Sequence, residues 1–140
     1  MKVFEVAKSG MDVEWQRLTL IAENLANMNT VRTPDGDTYR AKRLLTGPDL
    51  AFDQVLSGAN LNSPAGVRVY SVERSESAPF KVNDPNHPYA DLEGNVIYSN
   101  VNHAEEMALA LKTSRVYEAN MAMFSIARQT YASALNIGRA

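Results

Sequence analysis

Apolar residues are concentrated at the two ends of this chain, on either side of a turn-rich middle that covers residues 31–101. In the first segment they recur at steps of three and four residues, a spacing that places them along one side of an α-helix. The positions are Phe4, Ala7, Met11, Trp15, Leu18, Ala22 and Leu25. The pattern predicts an amphipathic helix that ends near Asn29, in which Gly10 marks a bend or a late start.

The last segment has the same spacing over a greater length. A capping-box pattern opens it: Asn102 accepts backbone hydrogen bonds, Glu105 reaches back, and Glu106 adds negative charge at the positive end of the helix. Apolar or small residues follow in steps of three and four, with a charged interruption at Arg128 and a stop at Gly138. They are Met107, Ala110, Ser114, Tyr117, Met121, Phe124, Tyr131 and Leu135. A second long helix is predicted.

The middle of the chain alternates short strand patterns with turn signals. Strands are predicted over residues 39–45, 66–73, 80–82 and 95–98, a turn over residues 34–37, and a short apolar anchor within residues 50–56. The predicted fold is mainly α with a small β-rich middle, its long terminal helices packed as a coiled coil. The predicted organisation is an N-terminal helix over residues 1–30, an irregular central region over residues 31–101 and a C-terminal helix over residues 102–140.

Composition removes several classes of function. The net charge is −2, from 14 basic and 16 acidic residues, so no strong field favours nucleic acid or an anionic membrane surface. The chain has no cysteine, which excludes disulfides, zinc thiolate sites and thiol nucleophiles. Its apolar runs are far shorter than the ~20 residues of a membrane span, so no direct membrane insertion is expected. Glu5 and Lys8 interrupt the N-terminal apolar residues, and we expect no cleaved signal peptide.

No set of residues suggests catalysis or metal binding. His87 and His103 lack partners at motif spacing, and the Asp35-Gly36-Asp37 turn lacks the closing glutamate of a calcium loop. Asp84 and Asp91 lie in turns, where acidic side chains ordinarily bond the backbone. We therefore expect no catalytic, cofactor or metal site, and no enzyme.

The basic residues that follow the first helix allow two interpretations. They are interleaved with Asp35 and Asp37 and could form either a solvated loop face or a charge-matched contact with a neighbouring subunit. They are Arg32, Arg40, Lys42 and Arg43.

The terminal stripes also allow two interpretations. A self-sufficient monomer with two packed helices is one interpretation, but two helices bury a single seam and leave without obvious cover residues such as Tyr117, Val116, Met123, Trp15 or Leu20. Self-assembly is therefore favoured over an isolated monomer.

Two short motifs resemble signatures of the flagellar rod and hook proteins, the axial protein family. Residues 22–30, Ala-Glu-Asn-Leu-Ala-Asn-Met-Asn-Thr, resemble its N-terminal Asn-Leu-Ala-Asn signature, and residues 114–120, Ser-Arg-Val-Tyr-Glu-Ala-Asn, resemble its C-terminal one. Central pieces, among them residues 34–36 and 39–42, are similar to the proximal-rod type. Glu23 and the Met28-Asn29 pair depart from the family pattern.

The resemblance implies a structural subunit of the proximal rod that self-assembles with other rod proteins into the helical drive shaft, which transmits torque and houses the export channel. It implies export through the type III apparatus, residence in the periplasmic rod, and contacts with copies of itself, the rod adaptor protein and the MS ring, without a cofactor. The alternative function is a stand-alone coiled-coil interaction module, such as an export chaperone or adaptor.

Ten residues are assigned to subunit contacts on this interpretation. The expected packing residues are Leu18, Ala22, Leu25, Tyr117, Met121 and Phe124. The polar residues expected to set register are Asn24, Asn27, Arg115 and Asn120.

Overall fold

In the part of the chain that the structure describes, two long helices lie on either side of a middle with four short strands, as the sequence predicts. The structure, a computed structural model, describes residues 2–49 and 66–138. Helix α1 spans Lys2–Ala26, strands β1 to β4 span Lys42–Pro48, Val67–Arg74, Phe80–Asn83 and Asn95–Tyr98, and helix α2 spans His103–Ile137. The apolar anchor predicted within residues 50–56 lies outside the described residues.

Helix α1 is continuous through Gly10 and ends three residues before Asn29. Its end is capped by Asn27, whose backbone N–H and side-chain Nδ2 both donate to the carbonyl of Glu23, at 3.1 and 2.9 Å. The first is an ordinary i→i−4 helical bond and the second is an added side-chain bond to the same carbonyl, and residues 27–29 then form a turn.

Helix α2 begins where the capping pattern predicts. The Asn102 side chain accepts hydrogen bonds from the backbone N–H groups of Ala104 and Glu105, at 3.0 and 3.4 Å. Glu105, however, turns its carboxylate toward Arg43, 3.6 Å away, and Glu106 is completely buried. The helix start is confirmed, but Glu106 is a tertiary contact residue rather than a solvated charge at the helix end.

The strands form two separate antiparallel pairs. Strand β1 pairs with β2, with an irregularity between Leu45 and Thr46, and β3 pairs with β4 in the register Phe80 to Tyr98. The first strand begins at Lys42 rather than Tyr39, because the backbone N–H just before it bonds a side chain instead of a neighbouring strand. The Ala41 N–H donates to Asn100 Oδ1 at 2.7 Å. Two-stranded sheets of this size enclose little core, which leaves the helices to hold the subunit together.

The helices run antiparallel and the core between them is thin. Phe4 of α1 meets Phe124 of α2 edge to face, with ring centroids 5.1 Å apart, while Asn24 near the other end of α1 contacts Glu106. Tyr39, Ala41 and Val101 form a small apolar cluster with Met28 packed against it. The buried apolar residues of the described chain are Ala7, Val13, Ile21, Tyr39, Ala41, Val96 and Val101.

Gly10 permits a close approach of the helices. A Cβ atom at this position would lie 2.8 Å from Nδ2 and 3.0 Å from Cγ of Asn120. Because real Cβ atoms do not approach other atoms so closely, glycine lets the Asn120 side chain pack directly on the α1 backbone. Gly10 therefore marks a helix contact and neither a bend nor a late start.

Candidate assembly surfaces and the polar cluster beneath them

The face of α1 that turns into the subunit is not the predicted apolar stripe. The buried residues of α1 are Ala7, Val13, Glu14, Ile21 and Asn24. At 3.6 residues per turn, their mean direction lies roughly a quarter turn around the helix from the predicted stripe. The two faces share Ala7 and then diverge, so α1 has an inner side and a second apolar side, called the outer side, about a quarter turn away, whose first residue, Phe4, still contacts α2.

The predicted packing residues of α1 lie on this outer side. Leu18 and Leu25 are half-buried and Ala22 is exposed. Trp15, on the same stripe, is 64% exposed, which is unusual for so large an apolar side chain. On this stripe Trp15 and Ala22 are exposed and therefore available to a neighbouring molecule.

On α2 the predicted packing residues are divided between the two sides. Tyr117 and Phe124 are half-buried toward α1, whereas Met121 is 50% exposed. In α2 the buried residues are Glu106 and Thr113, both polar. Most of the large apolar side chains of this helix are exposed; they are Met107, Leu111, Val116, Met121, Met123, Ile126, Tyr131, Leu135 and Ile137.

The four predicted polar residues have different surroundings. Asn24 is completely buried and bonds groups within the subunit, so it presents no surface to a neighbour. Asn27 is half-buried at the end of α1, and Asn120 is half-buried against Gly10. Arg115 is exposed on α2. Contacts with another subunit stay a prediction for Asn27, Arg115 and Asn120.

A buried polar cluster joins α1, α2 and β1. Asn24 Nδ2 donates to the carbonyl of Lys42 at 3.0 Å and to Glu106 Oε2 at 3.3 Å. Asn24 Oδ1 accepts from the Lys42 N–H at 2.9 Å and from the Tyr39 hydroxyl at 3.0 Å. The amide of Asn24 thus uses both its donor and its acceptor capacity, which makes its burial favourable.

The negative charge of Glu106 is paired with the positive charge of a β1 residue, Arg43. Arg43 Nη1 lies 2.5 Å from Glu106 Oε1, and the guanidinium stays about a third exposed. This contact is an ion pair without good hydrogen-bond alignment at Oε1. A second pair, between Lys42 and Glu23, lies on the outside of the cluster. We call residues 39–43, together with residues 20–26 of α1 and residues 102–109 of α2, the closed end of the helix pair.

Tyr39 is the most perturbed titratable group of the closed end. Burial raises the pKa of Tyr39 to about 12, the carboxylates of Glu23 and Glu106 add to the rise, and Arg43 opposes it. Its hydroxyl therefore stays protonated and keeps donating to Asn24 at any physiological pH.

The other end of the helix pair is open. Since Phe4 lies opposite Phe124, α2 continues for about ten residues, or about 15 Å, beyond the start of α1. An apolar groove of about 620 Å³ lies at this point. Its lining is Lys2, Val3, Phe4, Met123, Ile126, Ala127, Thr130, Tyr131 and Ala134. We call residues 2–4 of α1 and residues 121–137 of α2 the open end.

Sequence reasoning missed the partners of Asn24. The sequence predicts Tyr39 and Arg43 as strand or loop residues, and no local pattern indicates that Tyr39 contacts Asn24 or that Arg43 contacts Glu106. A signal existed for Glu106. It lies seven residues before Thr113, which lies four residues before Tyr117, and this spacing places all three on the inner face of α2.

The residues considered for catalysis have structural surroundings. His87 Nδ1 accepts from the Tyr89 N–H at 3.1 Å, and His103 is exposed in the first turn of α2. Asp91 accepts from the N–H groups of Glu93 and Asn95, at 2.9 and 2.8 Å, and these bonds lower the pKa of its carboxyl. Within residues 2–49 and 66–138, no group of three or more histidine or acidic side chains is placed to hold a metal ion. In the same residues, neither helix has an apolar stretch of membrane-spanning length.

Comparison with known proteins shows similarity over almost the whole chain. Residues 92–137 match the family described as flagellar basal body rod FlgEFG protein C-terminal. The flagellar basal-body rod protein FlgC of Salmonella typhimurium is 32% identical over 139 residues, covering 99% of this chain and 98% of the relative. FlgC of Borreliella burgdorferi is 36% identical, covering 94% of this chain and 93% of that protein. FlgC of Escherichia coli O6:H1 is 32% identical over 139 residues.

Proposed function

Because this chain belongs to the FlgC family of flagellar basal-body rod proteins, we propose that neighbouring subunits of the rod cover the apolar faces that a single copy exposes. The protein is a structural subunit of the bacterial flagellar basal body and assembles with other rod components. The proposal concerns how it does so.

The observation that carries the proposal is the exposed apolar surface of the two helices. Trp15 on α1 and Ile126 on α2 are each more than 60% exposed, and apolar neighbours continue both patches along the helices. Contiguous apolar patches of this kind are rare on proteins that work as monomers, and they mark sites of association. Covering them by other copies would supply the hydrophobic free energy that the thin core of one subunit does not.

A helix with two apolar sides suits a larger assembly of helices better than an isolated pair. The inner side of α1 packs on α2 of the same chain, and its outer side, a quarter turn away, would meet a helix of the next subunit. Both contacts would have the near-parallel geometry of a coiled coil. The outer side of α1 would use Leu18, Ala22 and Leu25, and the exposed side of α2 would use Met121. Tyr117 and Phe124 would pack between α1 and α2 of one subunit.

Such contacts are heterologous, because the surface of one copy meets a different surface of the next. Repeated with a rotation that does not close, they produce a helical tube. In this tube the segments 1–30 and 102–140 would lie near the axis around the export channel, and residues 31–101 would lie outside them. Interlocked helices would then transmit torque along the shaft.

The remaining partners follow from the position of a proximal rod subunit. We propose contacts with the rod adaptor protein and, directly or through it, with the MS ring, after export through the type III apparatus. The mixed charges of Arg40, Lys42 and Asp37 outside the helix pair suit a neighbouring protein surface. We propose no catalytic step.

The substitution Leu25→Glu tests the proposal. A carboxylate without a partner is costly in a packed seam, so the variant should be made and stay soluble but fail to enter the rod, and cells that carry it should not swim. Leu92→Glu is the matched control, because it is the same substitution at a fully exposed turn residue.

Isolated basal bodies and swimming assays distinguish the outcomes. Normal motility with Leu25→Glu would remove this residue from the subunit contacts. A discrete one-to-one complex of the free protein with an exported client would instead support the alternative of an export chaperone.

A further inference from the structure

Apolar packing alone leaves the register of the two helices weakly determined. In α2, within the described residues, no large apolar side chain is fully buried, and α1 contributes only Ala7, Val13 and Ile21 from its apolar residues. Small and aliphatic residues at steps of three and four offer a similar surface after a slip of one helical turn, about 5.4 Å. Something other than apolar contact must select one register.

The closed end supplies that selection. Glu106 lies between two partners on different elements, Arg43 on β1 at 2.5 Å and Asn24 on α1 at 3.3 Å. The Asn24 side chain in turn donates to the carbonyl of Lys42 and accepts from its N–H. A slip of one turn would carry the Glu106 carboxylate away from both partners while leaving it buried, and a buried charge without a partner is strongly unfavourable.

We propose that Asn24, Arg43 and Glu106 determine the register between α1 and α2, and thereby set how far the open end extends beyond the start of α1. They act as positioning residues, because the surface they place is at the other end of the helix pair. A single polar contact at an otherwise apolar helix interface fixes alignment in the same way in coiled coils. The proposal concerns one subunit, so it stands independently of which neighbour covers the open end.

The contact between Gly10 and Asn120 gives a direct reporter of the register. The chain has no cysteine, so a pair introduced by Gly10→Cys and Asn120→Cys forms the single possible intramolecular disulfide, at two positions that lie next to each other. Pairing Gly10→Cys with Tyr117→Cys or with Phe124→Cys reports a slip of one turn in either direction. In the otherwise native chain, oxidation of the dilute subunit should give the first disulfide readily and the slipped ones at most about a tenth as fast.

The apolar replacement Arg43→Met with Glu106→Leu separates register from stability. Replacing both partners of a buried ion pair by apolar residues is often neutral for stability, whereas Arg43→Met alone leaves the carboxylate unpaired. The double variant should therefore unfold at a higher urea concentration than the single variant. Its slipped disulfides should nevertheless form at least about tenfold faster than in the native background.

A conservative variant keeps the proposal open to refutation if the double variant does not fold. Arg43→Lys keeps a cation beside Glu106 and should retain the disulfide between positions 10 and 120, whereas Arg43→Met should admit the slipped pairs. The native disulfide as the sole product in both Arg43→Met and the double variant would overturn the proposal. Because these measurements use free protein, that result would leave the Leu25→Glu test of rod assembly unaffected.

Discussion

The two ends of the helix pair differ in what holds them. The closed end contains four polar side chains that meet within the subunit: Asn24 of α1, Arg43 of β1, Glu106 of α2 and Tyr39 from the segment before β1. The open end has one ring contact, between Phe4 and Phe124, and an apolar groove in contact with solvent. One end of the pair is complete in a single chain, and the other lacks part of its packing.

The two ends of the helix pair are suited to different roles. Polar contacts have strict geometry and tolerate few alternatives, so the closed end is suited to fixing one structure. Apolar contacts accept many partners of similar shape, so the open end is suited to receiving neighbours. A subunit built this way would keep a defined shape before assembly and gain most of its helix packing during assembly.

The largest expected contrast between the ends is in hydrogen exchange. In dilute free subunit, the amides of residues 121–137 should exchange nearly as fast as in an unfolded chain, because an unsupported helix end gains too little to offset its backbone entropy. Amides at the closed end should be slowed by about a hundredfold or more. Mass spectrometry of peptides from both ends checks this, and strong protection along all of α2 would contradict it.

Removal of the Arg43 cation should damage the closed end most. Arg43→Ala leaves Glu106 buried without its charge partner, and we expect the free energy of unfolding to fall by about 3 kcal/mol. Lys81→Ala, which breaks the exposed pair with Glu93, is the control and should cost less than ~0.5 kcal/mol. Urea unfolding followed by circular dichroism measures both. Similar losses for the two variants would mean that the closed end is no more than a surface charge cluster.

The Tyr39 hydroxyl should give the closed end a distinctive alkaline response. Because the folded-state pKa of about 12 lies above the ordinary value of 10, the stabilisation is complete below pH 10 and is lost as pH rises through 12. Tyr39→Phe should lower stability by about 1 kcal/mol at neutral pH through the lost bond to Asn24, yet show a flatter decline above pH 10. Urea midpoints between pH 8 and about 11 test this, and parallel declines in both proteins would refute the assignment.

The smallest expected effect concerns the contact midway between the ends. Gly10→Ala should be nearly neutral, since a helix-propensity gain of about 1 kcal/mol is offset by the clash with Asn120. In an Asn120→Ala background the clash is absent and the gain should appear in full. A double-mutant cycle by thermal unfolding measures the coupling, and additive effects would show that the helices are further apart at Gly10.

The helices and strands could be predicted from sequence because each has a local signal. Asn102 caps α2 through bonds to residues two and three positions away, and the strand over residues 95–98 was predicted with its correct bounds. Of the predicted packing residues, Ala22 and Met121 lie on exposed surface. The assignment of all six packing residues to subunit contacts stays a prediction.

The closed end could not be predicted, because its residues are brought together from distant positions. Asn24 and Glu106 are 82 residues apart, and Asn24 looked like a surface register contact because the family motif gives no information on burial. Glu106 looked like a helix-end charge, since carboxylates in a first turn are ordinarily solvated there.

The sequence by itself determined the order of the described elements, the ends of α2, the amphipathic character of α1 and the family. These properties depend on spacing and on bonds between near neighbours, which a linear pattern records. Only the tertiary structure decided which side of α1 turns inward, that the strands form two pairs, and that Arg43 balances a buried Glu106. A helix with apolar residues on two sides can pack by either one, and the choice depends on the polar contacts that only one of them completes.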